Sequence, residues 1–344
     1  MTLLEHEIAE QPDVIARLLT EEAEKARTIG AAIREFNPTF VTIAARGTSD
    51  NAGRYAQYLF GIQAGLSVGL SAPSIHTLYG KQTNLSRALV IGISQSGQSE
   101  DVRQVVADAR AQGALTVSIT NNPDSPLAQA AQYHVPLHAG EEKSVAATKT
   151  YTAQLTVVAL LVAALVDQPE LHTELSKLPD YVRQTLALSE GIAAWTERYR
   201  YMERLVTIGR GYNYCTAFEI SLKIKELCYV VGQEYSEADF RHGPIAVINP
   251  GFPVIVVAPK GQPLATIVDL LGKLREKSAE CLVVSNDETA LNLGLKSMRL
   301  PDMPEWISPV AGVLPGQIFA MNLAGVKGYN VDQPRGLTKV TVTR

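Results

Sequence analysis

The sequence predicts an α/β protein with two similar domains, each a parallel sheet flanked by helices. Three short apolar runs recur in the same order, with an offset of about 165 residues. The paired runs are Val41–Gly47 with Val206–Gly211, Leu89–Ile93 with Val254–Ala258, and Leu115–Ile119 with Cys281–Ser285. Each run is rich in β-branched residues and leads into Gly, Ser or Asn, which is typical of a buried parallel strand that enters a loop. Because ligands bind outside the carboxyl ends of such strands, we expect the functional residues in the loops that follow them.

Length and composition also indicate a two-domain globular protein. The chain has 344 residues, of which 46% are hydrophobic and 19% charged. A net charge of −4 argues against nucleic acid or a membrane surface as the main partner. Three scattered cysteines without a Cys-x-x-Cys pair argue against a disulfide framework or a zinc site and favour the cytoplasm. No signal peptide is expected at the N-terminus. The apolar run Leu155–Val166 is too short to span a bilayer, so it predicts a helix buried on most of its surface between domains or subunits.

The chain divides into five predicted segments. They are an N-terminal helical segment at 1–35, a first domain at 36–167, a helical connector at 168–200, a second domain at 201–330 and a C-terminal tail at 331–344. In the first domain we expect strands near 39–45, 66–70, 88–94, 115–120 and 133–137, with helices between them. The tail has no counterpart at the end of the first domain, which suggests a segment laid over a site.

Two loops rich in hydroxyl groups follow neighbouring predicted strands. Ser94-Gln95-Ser96-Gly97-Gln98-Ser99 opens a helix, and Gly47-Thr48-Ser49 follows an earlier strand in the same way. A helix start offers unpaired N–H groups and a positive dipole end to an anion. No Lys follows Gly97 as in a nucleotide-binding P-loop, so the pattern favours a phosphomonoester over a triphosphate. For any single loop of this kind, helix capping is the better explanation, but two loops at adjacent strand ends favour phosphate. Residues 142–149 form a third candidate.

A second group of candidates lies in the second domain. Glu219, Lys223 and Glu226 are spaced i, i+4 and i+7 and share one face of a predicted helix. A solvated stripe of salt bridges is the usual outcome of this spacing, whereas the apolar residues between them indicate a helix buried on several sides. His242 precedes Gly243-Pro244 in a sharp turn, where an imidazole is either catalytic or structural. The other histidines show no ligand spacing and are interpreted as structural or surface residues: His6, His76, His134, His138 and His172.

Taken together, these motifs resemble the double sugar-isomerase (SIS) domain family, and in particular the isomerase half of glucosamine-6-phosphate synthase. The motifs are Ser94–Gly97, Ala146–Lys149, Leu222–Glu226, His242–Pro244 and Asp332–Lys339, and the match covers nearly the whole chain. The resemblance implies two flavodoxin-like domains, a sugar phosphate as the ligand, and a homodimer with sites near the subunit interface. It implies no metal or organic cofactor.

The resemblance also implies a role for each site residue. Glu226 would move a proton between C1 and C2, with Lys223 beside it, and His242 from the partner subunit would open the sugar ring. Lys339 would contact the ring-opening oxygen or form an imine at C2. The substrate and its phosphate would be bound by Thr48, Ser49, Ser94, Gln95, Ser96, Ser99, Val145 and Thr338. Such an isomerisation needs one carboxylate that removes and returns a proton, donors around the developing oxyanion, and an amine for the keto carbon.

Departures from the synthase pattern indicate which reaction to expect. The synthase has a cysteine-dependent glutaminase domain, but the first cysteine here is Cys215, so we expect no glutamine hydrolysis by this chain. Arg46 stands where the synthase has Cys, and residues 141–149 are more similar to stand-alone glucosamine-6-phosphate deaminases. We therefore expect glucosamine 6-phosphate to be isomerised and hydrolysed to fructose 6-phosphate and ammonia. The alternatives are a fructosamine-6-phosphate deglycase, an ammonia-independent hexose-phosphate isomerase and, ranked lower, a sugar-phosphate-sensing regulator.

Overall fold

The structure is a computed structural model that describes residues 1–339, so positions 340–344 of the predicted tail lie outside the described residues. The chain forms two compact units, each assembled from separate stretches of sequence. The first unit contains residues 13–142, 149–177 and 338–339. The second unit contains residues 1–12, 143–148 and 178–337.

Helix α1 spans Leu3–Ala9 and belongs to the second unit, as do the first two residues of the helix that follows it; the other elements up to residue 177 belong to the first unit. The helices are α2 (Gln11–Glu21), α3 (Ala23–Phe36), α4 (Thr48–Ala64), α5 (Ser74–Thr77), α6 (Glu100–Ala111), α7 (Pro126–Ala130), α8 (Lys149–Val166) and α9 (Pro169–Ser176). The strands are β1 (Phe40–Ala44), β2 (Val68–Leu70), β3 (Ala88–Ile93), β4 (Leu115–Thr120) and β5 (Tyr133–Pro136), and they form one parallel sheet in the order β2-β1-β3-β4-β5. The five predicted strands are confirmed, although β2 is shorter than predicted because it is a partly exposed edge strand with Gly69 in its middle.

The elements of the second unit follow from residue 178. The helices are α10 (Leu178–Leu188), α11 (Ala193–Thr196), α12 (Tyr214–Cys228), α13 (Glu237–Arg241), α14 (Leu264–Glu276), α15 (Glu288–Leu293), α16 (Ser308–Gly312) and α17 (Leu314–Val326). The strands are β6 (Arg204–Gly209), β7 (Val231–Ser236), β8 (Pro253–Val257), β9 (Glu280–Ser285) and β10 (Lys296–Arg299). Short 3-10 turns lie at Glu190–Ile192, Glu197–Tyr199, Gly211–Asn213, Pro244–Val247 and Glu305–Ile307.

The second sheet repeats the topology of the first. Its parallel order is β7-β6-β8-β9-β10, so β6, β8 and β9 take the positions of β1, β3 and β4. The repeat seen in the sequence is therefore a repeat of the fold. Both faces of the central strands are covered by helices: every residue of β3 and of β4 is buried, which explains their apolar composition.

Two helical stretches are long and apolar enough to cross a membrane by composition. They are Lys149–Val166 and Glu305–Val326, and 89% and 72% of their most apolar windows are buried within the protein. The first is α8, which packs against α3 and α4. The predicted burial is therefore confirmed, whereas the helices that pack against α8 here, α3 and α4, belong to its own unit.

The strand order places one crevice in each unit. In the first sheet the chain passes from β1 outward to β2 and then returns to the other side of β1 as β3, so the order reverses between β1 and β3. Ligands of open parallel sheets bind outside the carboxyl ends of the strands at such a reversal. The loops that border it are 45–47 and 94–99 in the first unit, and 210–213 and 258–263 in the second.

Candidate active site

The loop after β1 presents hydroxyl groups at the start of α4. Gly47 is the N-cap residue of this helix and makes no side-chain capping hydrogen bond, while the N–H groups of Ser49 and Asp50 donate to the carbonyl of Arg46 at 3.1 and 3.3 Å. Ser49 is buried, and its hydroxyl accepts a hydrogen bond from Nε2 of Gln154 at 3.0 Å. Accepting this bond leaves the hydroxyl proton of Ser49 for a second partner. Thr48 is half-buried in the first turn of the same helix.

The loop after β3 gathers three more serines at the start of α6. The hydroxyls of Ser94 and Ser99 lie 3.3 Å apart, and the Gly97 N–H donates to Ser94 Oγ at 3.2 Å. Ser99 is the N-cap residue of α6, yet its side chain makes no capping hydrogen bond, whereas Ser125 caps α7 in the ordinary way. Capping therefore does not explain Ser99. Gln95 and Ser96 are half-buried beside it.

Gly97 allows this loop to pack closely against the start of α7. Its φ is +66°, and a Cβ at this position would collide with the side chain of Ser125. Gly113 has a similar φ of +83° but open space around the Cβ position. We expect Gly113→Ala to cost about 1 kcal/mol through backbone strain alone, and Gly97→Ala to cost at least about 2 kcal/mol more, since a methyl group is forced into a packed site. Urea unfolding of both variants measures this difference, and equal losses would show that the close packing at Gly97 contributes nothing.

A cation lies at the same crevice. Nε of Arg46 is 2.8 Å from Oδ2 of Asp101, whose side chain is fully buried in the first turn of α6. The guanidinium group therefore reaches from the loop after β1 to the helix that follows β3. Burial raises the pKa of nearby Asp50, although Arg54 and Arg46 act in the opposite direction. Hydroxyl donors, two helix starts and an arginine make this crevice suitable for a dianionic phosphate.

The third candidate loop, at 142–149, does not have the character of a phosphate site. The hydroxyl of Ser144 is fully buried and bonded to the carboxylate of Glu7. A carboxylate next to a hydroxyl disfavours a phosphate there, because like charges repel. Val145, predicted to line the site, is half-buried in this loop and donates its N–H to the carbonyl of Asp332 at 3.2 Å.

The tail lysine is held in the first unit by a buried carboxylate. Nζ of Lys339 lies 2.7 Å from Oε2 of Glu142, whose side chain is fully buried while that of Lys339 is one-quarter exposed. Glu142 also accepts hydrogen bonds from the hydroxyl and the N–H of Thr150, at 2.7 and 3.2 Å. The amine is thus oriented by an anchored partner. Thr338, next to it, is exposed.

Helix α12 carries a buried triad of charges in the second unit. Nζ of Lys223 lies 3.3 Å from Glu219 and 2.6 Å from Glu226. The side chains of Lys223 and Glu219 are fully buried, and that of Glu226 is 23% exposed. A solvated stripe of salt bridges, the alternative interpretation of this spacing, is therefore wrong. Glu226 is the member of the triad that another molecule can contact.

The ammonium group of Lys223 stays charged in this buried position. Burial alone lowers the pKa of Lys223, but the charges of Glu219 and Glu226 and the hydrogen bonds to both outweigh it. The pKa therefore lies above its ordinary value. A permanent cation between two carboxylates holds the Glu226 side chain in one orientation.

His242 lies in the predicted sharp turn and is exposed. It follows α13, and its N–H donates to the carbonyl of Asp239 at 3.1 Å. Within residues 1–339 its imidazole makes no described hydrogen bond or ion pair. The ring borders a surface cavity of about 460 Å³ that is also lined by Arg210, Glu237 and Arg241. An exposed imidazole without a structural partner is available for chemistry.

Three of the remaining histidines have polar partners within the fold. His76 is buried against Asp108 at 2.7 Å, His134 contacts Thr120 at 2.9 Å, and His138 contacts Glu22 at 2.6 Å. Their structural interpretation is confirmed. Over the described range of the chain, no group of three or more His, Cys, Asp or Glu side chains is placed to hold a metal ion.

The crevice of the second unit is occupied by a carboxylate of the chain itself. The N–H of Gln262 donates to Oε2 of Glu305 at 2.9 Å, and a Cβ on Gly261 would collide with the same side chain. A Cβ on Gly211, in the loop after β6, would lie 3.6 Å from Oε1 of Glu305. The carboxylate therefore lies between the two loops, at the position where the first unit gathers its hydroxyls. A second anion is disfavoured next to this carboxylate, because like charges repel.

The structure thus brings the predicted residues together in two sets. The first unit collects the hydroxyl loops with Thr48, Ser49, Ser94, Gln95, Ser96 and Ser99, and separately the pair of Lys339 and Glu142. The second unit holds Lys223 and Glu226 on α12, while no described hydrogen bond or ion pair in residues 1–339 links them to His242 or Val145. Sequence reasoning missed Gln154, Glu142 and Asp101 as partners of these residues. Of the partner residues, only Glu219 was indicated by the sequence, because it lies four positions before Lys223 on the same helix.

Comparison with known proteins agrees with this architecture. The SIS domain family matches residues 39–164 and 199–293. The isomerizing glutamine–fructose-6-phosphate aminotransferase of Aquifex aeolicus is 35% identical over 340 residues, which cover 98% of this chain and 57% of that protein. The chain thus spans a little more than half the length of that relative.

Two solved structures share the fold. The C-terminal domain of glucosamine-fructose-6-phosphate aminotransferase from Francisella tularensis superposes with a TM-score of 0.86 at 24% identity, covering 97% of this chain and 98% of that one. Glucosamine-6-phosphate deaminase from Thermotoga maritima superposes with a TM-score of 0.81 at 19% identity, covering 99% and 100%. The two matched segments contain the whole first sheet and four strands of the second, while β10 lies just beyond the second segment. The chain therefore belongs to the SIS domain family and is homologous to the isomerase domain of glutamine–fructose-6-phosphate aminotransferase.

Proposed function

We propose that the protein is an amino-sugar phosphate isomerase and deaminase that converts glucosamine 6-phosphate and water to fructose 6-phosphate and ammonia. In this reaction a proton moves from C2 to C1, which leaves an imine at C2 of the ketose. Water then adds to the imine and ammonia leaves. The reaction is balanced without an oxidant or a second substrate.

The observation that carries the proposal is the position of Glu226. Its carboxylate is held at 2.6 Å by a fully buried ammonium group and is itself partly exposed. A base that moves a proton between adjacent carbons must be fixed in direction and must reach the substrate. Binding alone does not require a buried cation between two carboxylates, and burying such a group is costly.

The proposal assigns the other predicted residues to binding and to the later steps. The hydroxyls after β1 and β3 and the guanidinium of Arg46 bind the phosphate, and Val145 and Thr338 line the site. His242 protonates the ring oxygen as the sugar opens. Lys339, oriented by Glu142, either donates a hydrogen bond to the ring oxygen as the ring opens or forms an imine at C2.

The proposal includes a homodimer in which His242 of one subunit acts on the sugar bound by the other. The exposure of His242 and its lack of a described partner within its own unit favour this arrangement. Sedimentation of the active protein measures it. A fully active monomer at assay concentration would contradict the shared site.

The comparisons support the sugar-phosphate chemistry more strongly than the release of ammonia. The relatives are named for reactions of fructose 6-phosphate or glucosamine 6-phosphate. The Thermotoga maritima protein is named a glucosamine-6-phosphate deaminase and is matched over its whole length. The sequence of residues 141–149 points in the same direction.

The test is incubation of the purified protein with three substrates separately: glucosamine 6-phosphate, fructose 6-phosphate and a glycated amino acid 6-phosphate. We expect equal amounts of ammonia and fructose 6-phosphate from the first. Faster release of an amino acid from the glycated substrate would indicate the deglycase. Formation of glucose 6-phosphate from fructose 6-phosphate without any ammonia would indicate the plain isomerase, and binding without turnover would indicate the regulator.

A further inference from the structure

A buried carboxylate on α1 binds the loop that carries Val145. Glu7 is only 4% exposed. Its carboxylate accepts hydrogen bonds from the N–H of Lys143, from the hydroxyl of Ser144, and from the N–H of Ser144 at 3.2 and 3.3 Å. In the described part of the chain no cation pairs with Glu7, so the dipoles of this loop alone compensate its charge.

The same short helix binds the C-terminal segment. The carboxylate of Asp332 accepts hydrogen bonds from the N–H groups of Leu3 and Leu4, at 3.1 and 2.9 Å. The carbonyl of Asp332 in turn accepts the N–H of Val145 at 3.2 Å. Helix α1, the loop at 143–146 and the segment at Asp332 therefore form a closed ring of hydrogen bonds, here called the N-terminal clasp.

The clasp rests on a rigid base. Leu4 and Ile8 are buried on the inner face of α1, and α1 packs against α17. The side chain of Gln11, just beyond α1, donates to Gln317 of α17 at 2.9 Å, and both side chains are buried. Because α1 is fixed in this way, Glu7 and the first turn of α1 define where the loop and the tail can lie.

We propose that Glu7 is a positioning residue for the reaction, acting through the N-terminal clasp on two catalytic segments at once. This inference rests on the proposed function. The loop at 143–146 carries Val145 and directly follows Glu142, the partner of Lys339. The segment at Asp332 leads into Thr338 and Lys339. Glu7 touches no substrate in this scheme; it sets the geometry of residues that do.

The chemistry of Glu7 favours this role over simple packing. An unpaired buried carboxylate is expensive to keep, and an apolar side chain would anchor a helix at lower cost. Only a carboxylate accepts three donors from one loop and so fixes both its backbone and its Ser144 side chain. An error of about 1 Å in such a loop costs about a hundredfold in rate, because the reacting groups lose their alignment.

The experiment compares Glu7→Gln, Ser144→Ala and the double variant with the wild-type protein. The matched control is Glu10→Gln, at the end of the same helix, where the carboxylate pairs with His6 at 3.2 Å. Turnover of glucosamine 6-phosphate gives kcat and KM, and amide hydrogen exchange reports the protection of peptides covering 143–148 and 330–337.

We expect Glu7→Gln to lower kcat about 30-fold, to change KM less than about threefold and to remove the protection of both peptides from exchange. Glu10→Gln should leave kcat, KM and protection unchanged. The losses in the double variant should be far from additive, since both substitutions break the same clasp. Unchanged exchange in Glu7→Gln, or altered exchange with normal kcat, would overturn the inference. A wild-type protein without turnover overturns the proposed function and this catalytic role with it, while the exchange result separately shows whether the clasp exists.

Discussion

Glu226→Gln is expected to lower kcat about a thousandfold and to leave KM for the sugar phosphate within about threefold of the wild-type value. The amide keeps the size of the side chain but removes the base, and general base catalysis contributes roughly 10² to 10⁴ in rate. Binding should survive because the proposed function assigns the phosphate to the loops after β1 and β3 and not to Glu226. The measurement is steady-state turnover of glucosamine 6-phosphate.

A matched control comes from the neighbouring strand. Glu234 lies on β7, pairs with Lys225 at 2.9 Å and has no assigned role in the reaction. Glu234→Gln should therefore retain nearly full activity. A Glu226→Gln variant within tenfold of wild type would show that another group moves the proton.

Lys223→Met is expected to destabilise the fold by about 3–5 kcal/mol and to abolish turnover. Removing the ammonium takes away the cation that lies between Glu219 and Glu226, and breaking a buried pair in this way costs about this much. Lys225→Met on the same helix removes a half-exposed pair and should cost less than about 1 kcal/mol. Urea unfolding of both variants near pH 7 measures the contrast.

The stability difference between wild type and Lys223→Met should also depend on pH in a defined direction. The pKa of Lys223 is raised in the folded state above its ordinary value of 10.5. Its stabilising contribution is therefore complete below about pH 10.5 and is lost as the pH rises through the folded-state value. The two unfolding curves should keep a constant separation from neutral pH to about pH 10 and converge above it. If the two unfolding free energies converged only as the pH is lowered, the raised pKa of Lys223 would be contradicted.

The sequence predicted the fold well because the signal is periodic and repeated. Runs such as Leu89–Ile93 and Val254–Ala258 are apolar along their whole length, since helices cover both faces of a parallel sheet. The edge strand β2 was predicted too long. An edge strand pairs with only one neighbour and is partly exposed, so it tolerates residues such as Gly69. The hydrophobic pattern that marks the ends of a buried strand is therefore weak in β2.

The site was predicted in part, and what was missed is long-range. Gln154 holds Ser49 across 105 positions, Glu7 holds Ser144 across 137, and Lys339 meets Glu142 across 197. Such partners become neighbours only when the chain folds, and no local spacing marks them. Glu305 in the crevice of the second unit is another long-range partner, because it accepts a hydrogen bond from Gln262, 43 positions away in the sequence. By contrast, Glu219 and Lys223 are one helical turn apart, so their pairing was visible beforehand.

The central claim is that one carboxylate, Glu226, moves a proton between adjacent carbons of a bound sugar phosphate. The most direct measurement is proton NMR of glucosamine 6-phosphate incubated with the protein in heavy water, which follows deuterium entry during the reaction. With the wild-type protein we predict loss of the C2 proton signal and partial deuterium at C1 of the product, because part of the proton taken up by the carboxylate exchanges with heavy water before it is returned. Both changes should be about a thousandfold slower with Glu226→Gln. Turnover in which the C2 proton is never removed, or equal exchange in both proteins, would contradict the account.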